Sequence, residues 1–130
     1  MAMNIVTALN AIKTALDGVA GLRTFKFIPD SISPPAAVVD LDEIIYDNTK
    51  GRGTDRATFT VTVAVGKVVD RAAHDQVAGY MSGTGAATTA IKAALDAIGP
   101  HVQVLRARKA IVMFASQEFL GATFDVDYVA

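Results

Sequence analysis

The chain contains no cysteine, which removes structural disulfides, thiolate zinc sites and cysteine nucleophiles together. Its two histidines, His74 and His101, fall in different elements and in no ligand-spaced motif, so they read as a helix-surface residue and a turn residue. Aromatic residues are scarce at 7%, while the hydrophobic fraction reaches 52%, carried largely by alanine and valine. Such a composition builds a core of small and β-branched side chains, with thin elements packed closely. Neither charge is in excess: 12 Lys+Arg stand against 13 Asp+Glu, a formal net charge of -1. The long-range attraction needed to coat nucleic acid is therefore missing. No apolar run approaches the roughly eighteen residues of a membrane span. The opening MAMNIVTALNAIKTALDG has no basic stretch ahead of an apolar block, unlike a secretory leader. The expectation is a soluble protein made in a cytoplasm, with no membrane partner.

What is present is one domain's worth of patterned chain. A length of 130 residues fits a single domain over 1–130, and at this size folding buries about two thirds of the unfolded surface. Ile5, Ala8, Leu9, Ile12 and Leu16 recur at helical spacing, which predicts a helix over 4–16 closed by Asp17 and a left-handed Gly18. A short strand is expected over 22–28, then a connector that Pro29, Pro34 and Pro35 hold extended. A second strand follows over 37–46, with Val38 and Val39 implying burial on both faces. Beyond a charged loop, a long strand covers 58–65. Asp70 stands where an N-cap belongs, ahead of a helix over 71–81, and a second helix over 86–98 closes at Gly99-Pro100. Strands over 102–114, irregular around 107–110, and over 119–129 complete the chain. In the last, Leu120, Ala122, Phe124, Val126 and Tyr128 alternate with Gly121, Thr123, Asp125 and Asp127, the pattern of a half-buried antiparallel or edge strand. The order α-β-β-β-α-α-β-β predicts an α+β two-layer sandwich, a mainly antiparallel sheet with helices packed on one face.

The most informative segment is GRGTDRATFTVTVAVG, residues 51–66. Phe59, Val61, Val63 and Val65 fall on one strand face and Thr58, Thr60 and Thr62 on the other. Ahead of that strand, Lys50, Arg52 and Arg56 place three cations within seven residues, with Gly51 and Gly53 loosening the backbone around Arg52. The connection exceeds the two to five residues usual for a hairpin. As a charged hairpin tip it is simply solvated; as a cationic arm it pairs with acids such as Asp42, Glu43, Asp125 or Asp127 on an adjacent copy.

Enzymatic signatures are weak. Asp125 and Asp127 share a strand face about 6.5–7 Å apart, as do Asp40 and Asp42, a spacing open to acid–base work or a divalent ion but commoner as solvated or edge-protecting charge. Gly83-Thr84-Gly85 lacks the Lys-Ser/Thr of a phosphate loop and follows a helix, so it punctuates helices. Ser31, Ser33, Ser82 and Ser116 have no nucleophile-elbow setting. No cofactor, metal site or reaction is called for.

Three blocks carry a family resemblance: GLRTFKFIPDSISPPAAVV (21–39), YDNTKGRGTDRATFTVTVAVGKVVDRAA (46–73), and YMSGTG with IKAALDA ahead of a final strand ending FDVDYVA. With the N-terminal amphipathic helix, this text resembles the tail terminator proteins of long-tailed, non-contractile bacteriophages, above all the small versions from phages of actinobacteria. The 46–73 block is the most specific part. The resemblance implies a structural virion protein of the tail, made in the host cytoplasm, that assembles with itself as a hexameric ring. Such a ring sits on the tail tube protein, ends tube polymerisation and offers the surface for the head–tail connector, while DNA passes through the lumen without specific binding. A lumen without excess positive charge would not hold the passing genome. On this expectation Lys50, Gly51, Arg52, Gly53, Asp55 and Arg56 contact a neighbouring subunit or the tube. The runner-up is another head–tail joining or tail-completion component, and a third class, a small-molecule enzyme or binding domain, requires a deep pocket lined by convergent polar groups.

Overall fold

The apolar stripe near the N-terminus forms α1, Ile5–Asp17, with Ala8, Ile12 and Leu16 buried. Its start is fixed by Asn4, whose side-chain oxygen accepts from the Thr7 backbone N–H at 3.1 Å. Its end departs from expectation. Gly18 has φ -74 in the right-handed region, and three-residue hydrogen bonds from Gly18 N to Ala15 O and from Val19 N to Leu16 O tighten the last turn instead. The computed structural model describes residues 4–19, 22–25, 36–46, 55–66, 71–83, 90–114 and 117–129. The proline connector, the Asp70 cap and the first part of the helix expected from residue 86 lie outside these.

The fold is α+β, with three helices and a mixed, mostly antiparallel five-stranded sheet. The strands are β1, Arg23–Phe25; β2, Ala36–Ile45; β3, Arg56–Gly66; β4, Val102–Phe114; and β5, Gln117–Val129. Between β3 and β4 come α2, Arg71–Tyr80, and α3, Ile91–Asp96. In space the strands run β1-β2-β3-β5-β4, with β1 parallel to β2 and every other pair antiparallel. The final strand is thus interior and β4 is the edge. The alternation of β5 reports two differently covered faces rather than an exposed margin.

β3 organises the core because it is paired on both sides and alternates without interruption from Arg56 to Val63. Ala57, Phe59, Val61 and Val63 are buried, and across the ladders they meet Leu41, Val39 and Ala37 on β2 and Tyr128, Val126, Phe124 and Ala122 on β5. This face shares one apolar cluster with the buried residues of all three helices, Ile12, Leu16, Val77, Ile91 and Leu95 among them. Phe59 and Tyr128 meet edge to face, their centroids 6.2 Å apart. Truncating a fully buried Phe59 or Phe124 to alanine costs about 3–5 kcal/mol, against about 0–1 kcal/mol for exposed helix ion pairs such as Lys13–Asp17. The apolar face, not the charges, holds the sheet together.

A second, smaller cluster occupies one end of the opposite face, where Val38, Ala64, Val112 and Phe119 are buried with Phe25 and Ala110 against them. This is why Val38 and Val39 are both buried although they point opposite ways. Two irregularities break the period in the outer long strands. The register shifts between Leu41 and Glu43, leaving Asp42 as an extra residue, and between Val104 and Arg106, leaving Leu105. Asp40 and Asp42 therefore do not hold the simple alternate positions the sequence suggests, and the irregularity in β4 comes before residues 107–110.

A third shift, between Ala64 and Gly66, brings β3 close against Gly121, where a Cβ would stand 1.8 Å from the Val63 carbonyl oxygen. Gly99, at φ 151, opens the turn into β4, in which Val102 N bonds to Gly99 O at 3.2 Å. Gly121→Ala should cost about 3 kcal/mol or more by forcing the β3–β5 ladder apart. Gly79→Ala, at an exposed position of α2 with nothing within 4 Å of the added methyl, should instead stabilise by about 0.5–1 kcal/mol. Urea midpoints of the two variants against the parent chain check both signs.

Candidate functional site

The face of the sheet turned away from the main cluster carries the charged and hydroxyl groups, and its layout follows from the ladder registers. Thr58, Thr60 and Thr62 of β3 stand opposite Asp127, Asp125 and Thr123 of β5. Beyond β5, Gln103, Arg106 and Arg108 of β4 continue the same rows. On the other side Glu43, Asp40 and Val38 of β2 begin them. The sheet thus draws residues from well-separated stretches of the chain into one polar surface.

Two ion-pair groups tie that surface together. Arg56 donates from Nε to Asp127 Oδ1 at 2.8 Å, linking β3 to β5, and the Asp127 side chain is 10% exposed against 42% for Arg56. The hydrogen bond to Asp127, then that carboxylate's charge, raise the Arg56 guanidinium above its ordinary value, with a smaller contribution from Glu43. A raised basic group contributes stability that is complete below its unfolded value and lost only as pH rises through the folded one. Arg56 therefore stays charged throughout the neutral and mildly alkaline range. The second group centres on Asp125 Oδ2, which lies 3.2 Å from Arg106 Nε and 3.9 Å from Arg108 Nη2. Both arginines are well over half exposed, so solvent weakens these contacts.

The six residues singled out as an arm divide. Lys50, Gly51, Arg52 and Gly53 lie outside the described residues. Asp55 is buried at 5% exposure, and Arg56 is the first residue of β3, engaged with an acid of its own chain. Asp55 and Arg56 belong to the root of the connection. The sequence suggests an Asp127 partnership between copies, whereas the structure makes it within the chain. Nothing local signals it, because the two residues are 71 positions apart.

Of the two aspartate pairs that invited an acid–base reading, Asp125 and Asp127 are both engaged by arginine, and among the described residues no group of three His, Cys, Asp or Glu side chains converges. His74 Nδ1 accepts from Lys109 Nζ at 2.8 Å, bridging α2 to β4, and His101 sets its ring edge against Tyr128 at 5.0 Å between centroids. The described surface also has a groove of about 380 Å³ between α1 and α3, lined by Ala11, Thr14, Ala15, Gly18, Ala94, Ala97 and Ile98. Thr14 alone among these carries a polar side chain, so the groove lacks the convergent polar groups that a small-molecule site requires. Among the described residues no helix is long and apolar enough to cross a membrane.

Asp127→Asn should lower the urea midpoint at low ionic strength, and about 1 M salt should erase most of the difference from the parent chain, because screening removes what the lost charge contributed. An equal loss at both salt concentrations would assign the effect to packing. Compared with known proteins, the chain matches no family model and no curated protein.

Proposed function

We propose that this chain is a structural virion protein of the tail-terminator kind, acting as a ring of identical copies, six by the resemblance. The ring caps the phage tail tube, ends its polymerisation and offers the head connector its seat. The observation that carries the reading is the β2–β3 hairpin, whose connection begins the 46–73 block. β2 and β3 pair antiparallel up to Ile45 and Arg56, so residues 46–55, with Lys50 and Arg52 among them, leave from the last rung of the β2–β3 ladder. A charged segment rooted on a rigid pair suits docking, since the root loses little freedom on contact.

The fold reading that accompanies this is a two-layer sandwich in the order α-β-β-β-α-α-β-β, helices over one sheet face and the threonine-and-acid face left for other contacts. The balanced charge of the chain supports passage of DNA through a central hole without retention. In this role the protein is not an enzyme and binds no cofactor.

Electron microscopy of the purified protein, alone and mixed with tail tubes, should show closed annuli seated on tube ends. Tubes that keep growing in its presence would overturn the reading. Lys50→Glu with Arg52→Glu should abolish capping while leaving the thermal melt unchanged. Arg56 is kept because it holds Asp127. Normal tails from that variant would exclude the connection as the contact, and capture of the connector-side adaptor in place of the tube protein would shift the assignment to a head–tail joining component.

A further inference from the structure

The two edges of the sheet carry opposite charge. β4 forms one edge, and among the described residues no strand covers its outer side along its 13 residues. It displays Arg106, Arg108 and Lys109, all exposed, while the one carboxylate among the described residues in an ion pair with this strand, Asp125, serves two of them. The other edge is β2 beyond residue 38. β1 pairs only with Ala36, Ala37 and Val38, so among the described residues positions 39–45 have an uncovered side. That stretch displays Asp40, Asp42 and Glu43, exposed and in no ion pair among the described residues.

Uncovered edges offer rows of N–H and C=O groups on which another strand can pair. Charge decides which strand. β4 against β4 of a second copy would set arginine opposite arginine, and β2 against β2 would oppose carboxylates, both unfavourable across a ladder. β4 against β2 brings opposite signs together. Strand direction agrees with this choice: three successive antiparallel pairings, β2 to β3, β3 to β5 and β5 to β4, leave β4 antiparallel to β2. A second copy set alongside in the same orientation therefore presents an antiparallel β2.

Register agrees as well. Asp40, Thr60, Asp125 and Arg106 are successive rungs of one row across the sheet. The row begins with an acid and ends with a base. Continued into a second copy without axial slip, it sets Arg106 beside the next Asp40, and the neighbouring row sets Gln103 beside the next Glu43. Leu105 on β4 and Ile45 on β2, exposed by 43% and 45%, add apolar area at the two edges.

We infer that β4 of one copy pairs antiparallel with residues 39–45 of β2 in the next, a head-to-tail contact selected by Arg106 meeting Asp40, with Asp42 and Glu43 on the same acidic edge. Head-to-tail contacts generate rings where the rotation between copies closes. The inference deepens the ring reading above, resting on its self-association but not on the tail tube.

The absence of native cysteine makes the test direct. Asp40→Cys and Arg106→Cys chains, purified separately, should each resist cross-linking alone, form a mixed disulfide-linked dimer on mild oxidation together, and give a ladder when both substitutions sit in one chain. The full chain carrying Asp40→Lys, Asp42→Lys and Glu43→Lys, at exposed positions in no ion pair among the described residues, should keep its circular dichroism spectrum. It should need at least about tenfold more protein for half-assembly by sedimentation velocity, since oppositely charged contacts would become like-charged ones. Adding Arg106→Asp and Arg108→Asp to it should restore assembly. A parent chain that sediments only as monomer, assembly unchanged by the acid-edge reversal, or Arg106→Cys linking to itself as readily as to Asp40→Cys would each overturn the inference. Edge-built rings that ignore tail tubes would sink the tail reading alone. Tube-capping rings that tolerate the acid-edge reversal would sink the edge pairing alone.

Discussion

The two-residue period of β3 is the constraint on which the rest of the molecule depends. Because β3 is paired on both sides, its alternation is imposed on β2 and β5 through the registers, and through β5 on β4. Phe59, Val61 and Val63 place one face in a single cluster with apolar residues of the helices. Thr58, Thr60 and Thr62 commit the other to a surface where charges from distant parts of the chain stand in rows. A slip of one residue would exchange those two faces, burying threonine and carboxylate and exposing phenylalanine. The core therefore fixes the charge pattern even though the charges contribute little to folding.

That division of labour separates stability from recognition. The largest buried side chains, Phe59 and Phe124, are held by apolar contact, whereas Arg106 and Arg108 remain mostly in water while touching Asp125. Exposed ion pairs of this kind are weak within a chain, and their arginines remain available to a partner whose approach excludes water. Asp127 is the exception. Its carboxylate is nearly enclosed and held by Arg56, so this pair fixes the base of the β2–β3 connection.

Local pattern made α1, the faces of β3 and β5 and the double burial at Val38 and Val39 readable from the residues alone, because each depends on spacing within a few positions. The features that escaped depend on pairing across long separations. Arg56 sits beside a loop in sequence and beside Asp127 in space. The alternation of β5 left an antiparallel or an edge strand open, and only pairing with β4 on its far side decides for the first. The extra residues Asp42 and Leu105 give no sign in composition, since a bulge is defined against the opposing strand. Gly18 departs from the left-handed backbone that a glycine after a helix usually adopts, because here a tightened last turn satisfies the carbonyls of Ala15 and Leu16. The site was legible in its ingredients and not in its wiring.

The placement of the connection's root also has a mechanical consequence. Residues 46–55 are anchored at Ile45 and Arg56, the terminal rung of a ladder whose bonds lie across the strand axis. A pull on Arg56 along that axis loads β3 in shear against β2 and β5 simultaneously, so many bonds must stretch together before any breaks. Traction delivered there would pass into the sheet as a stiff body instead of peeling it open one bond at a time.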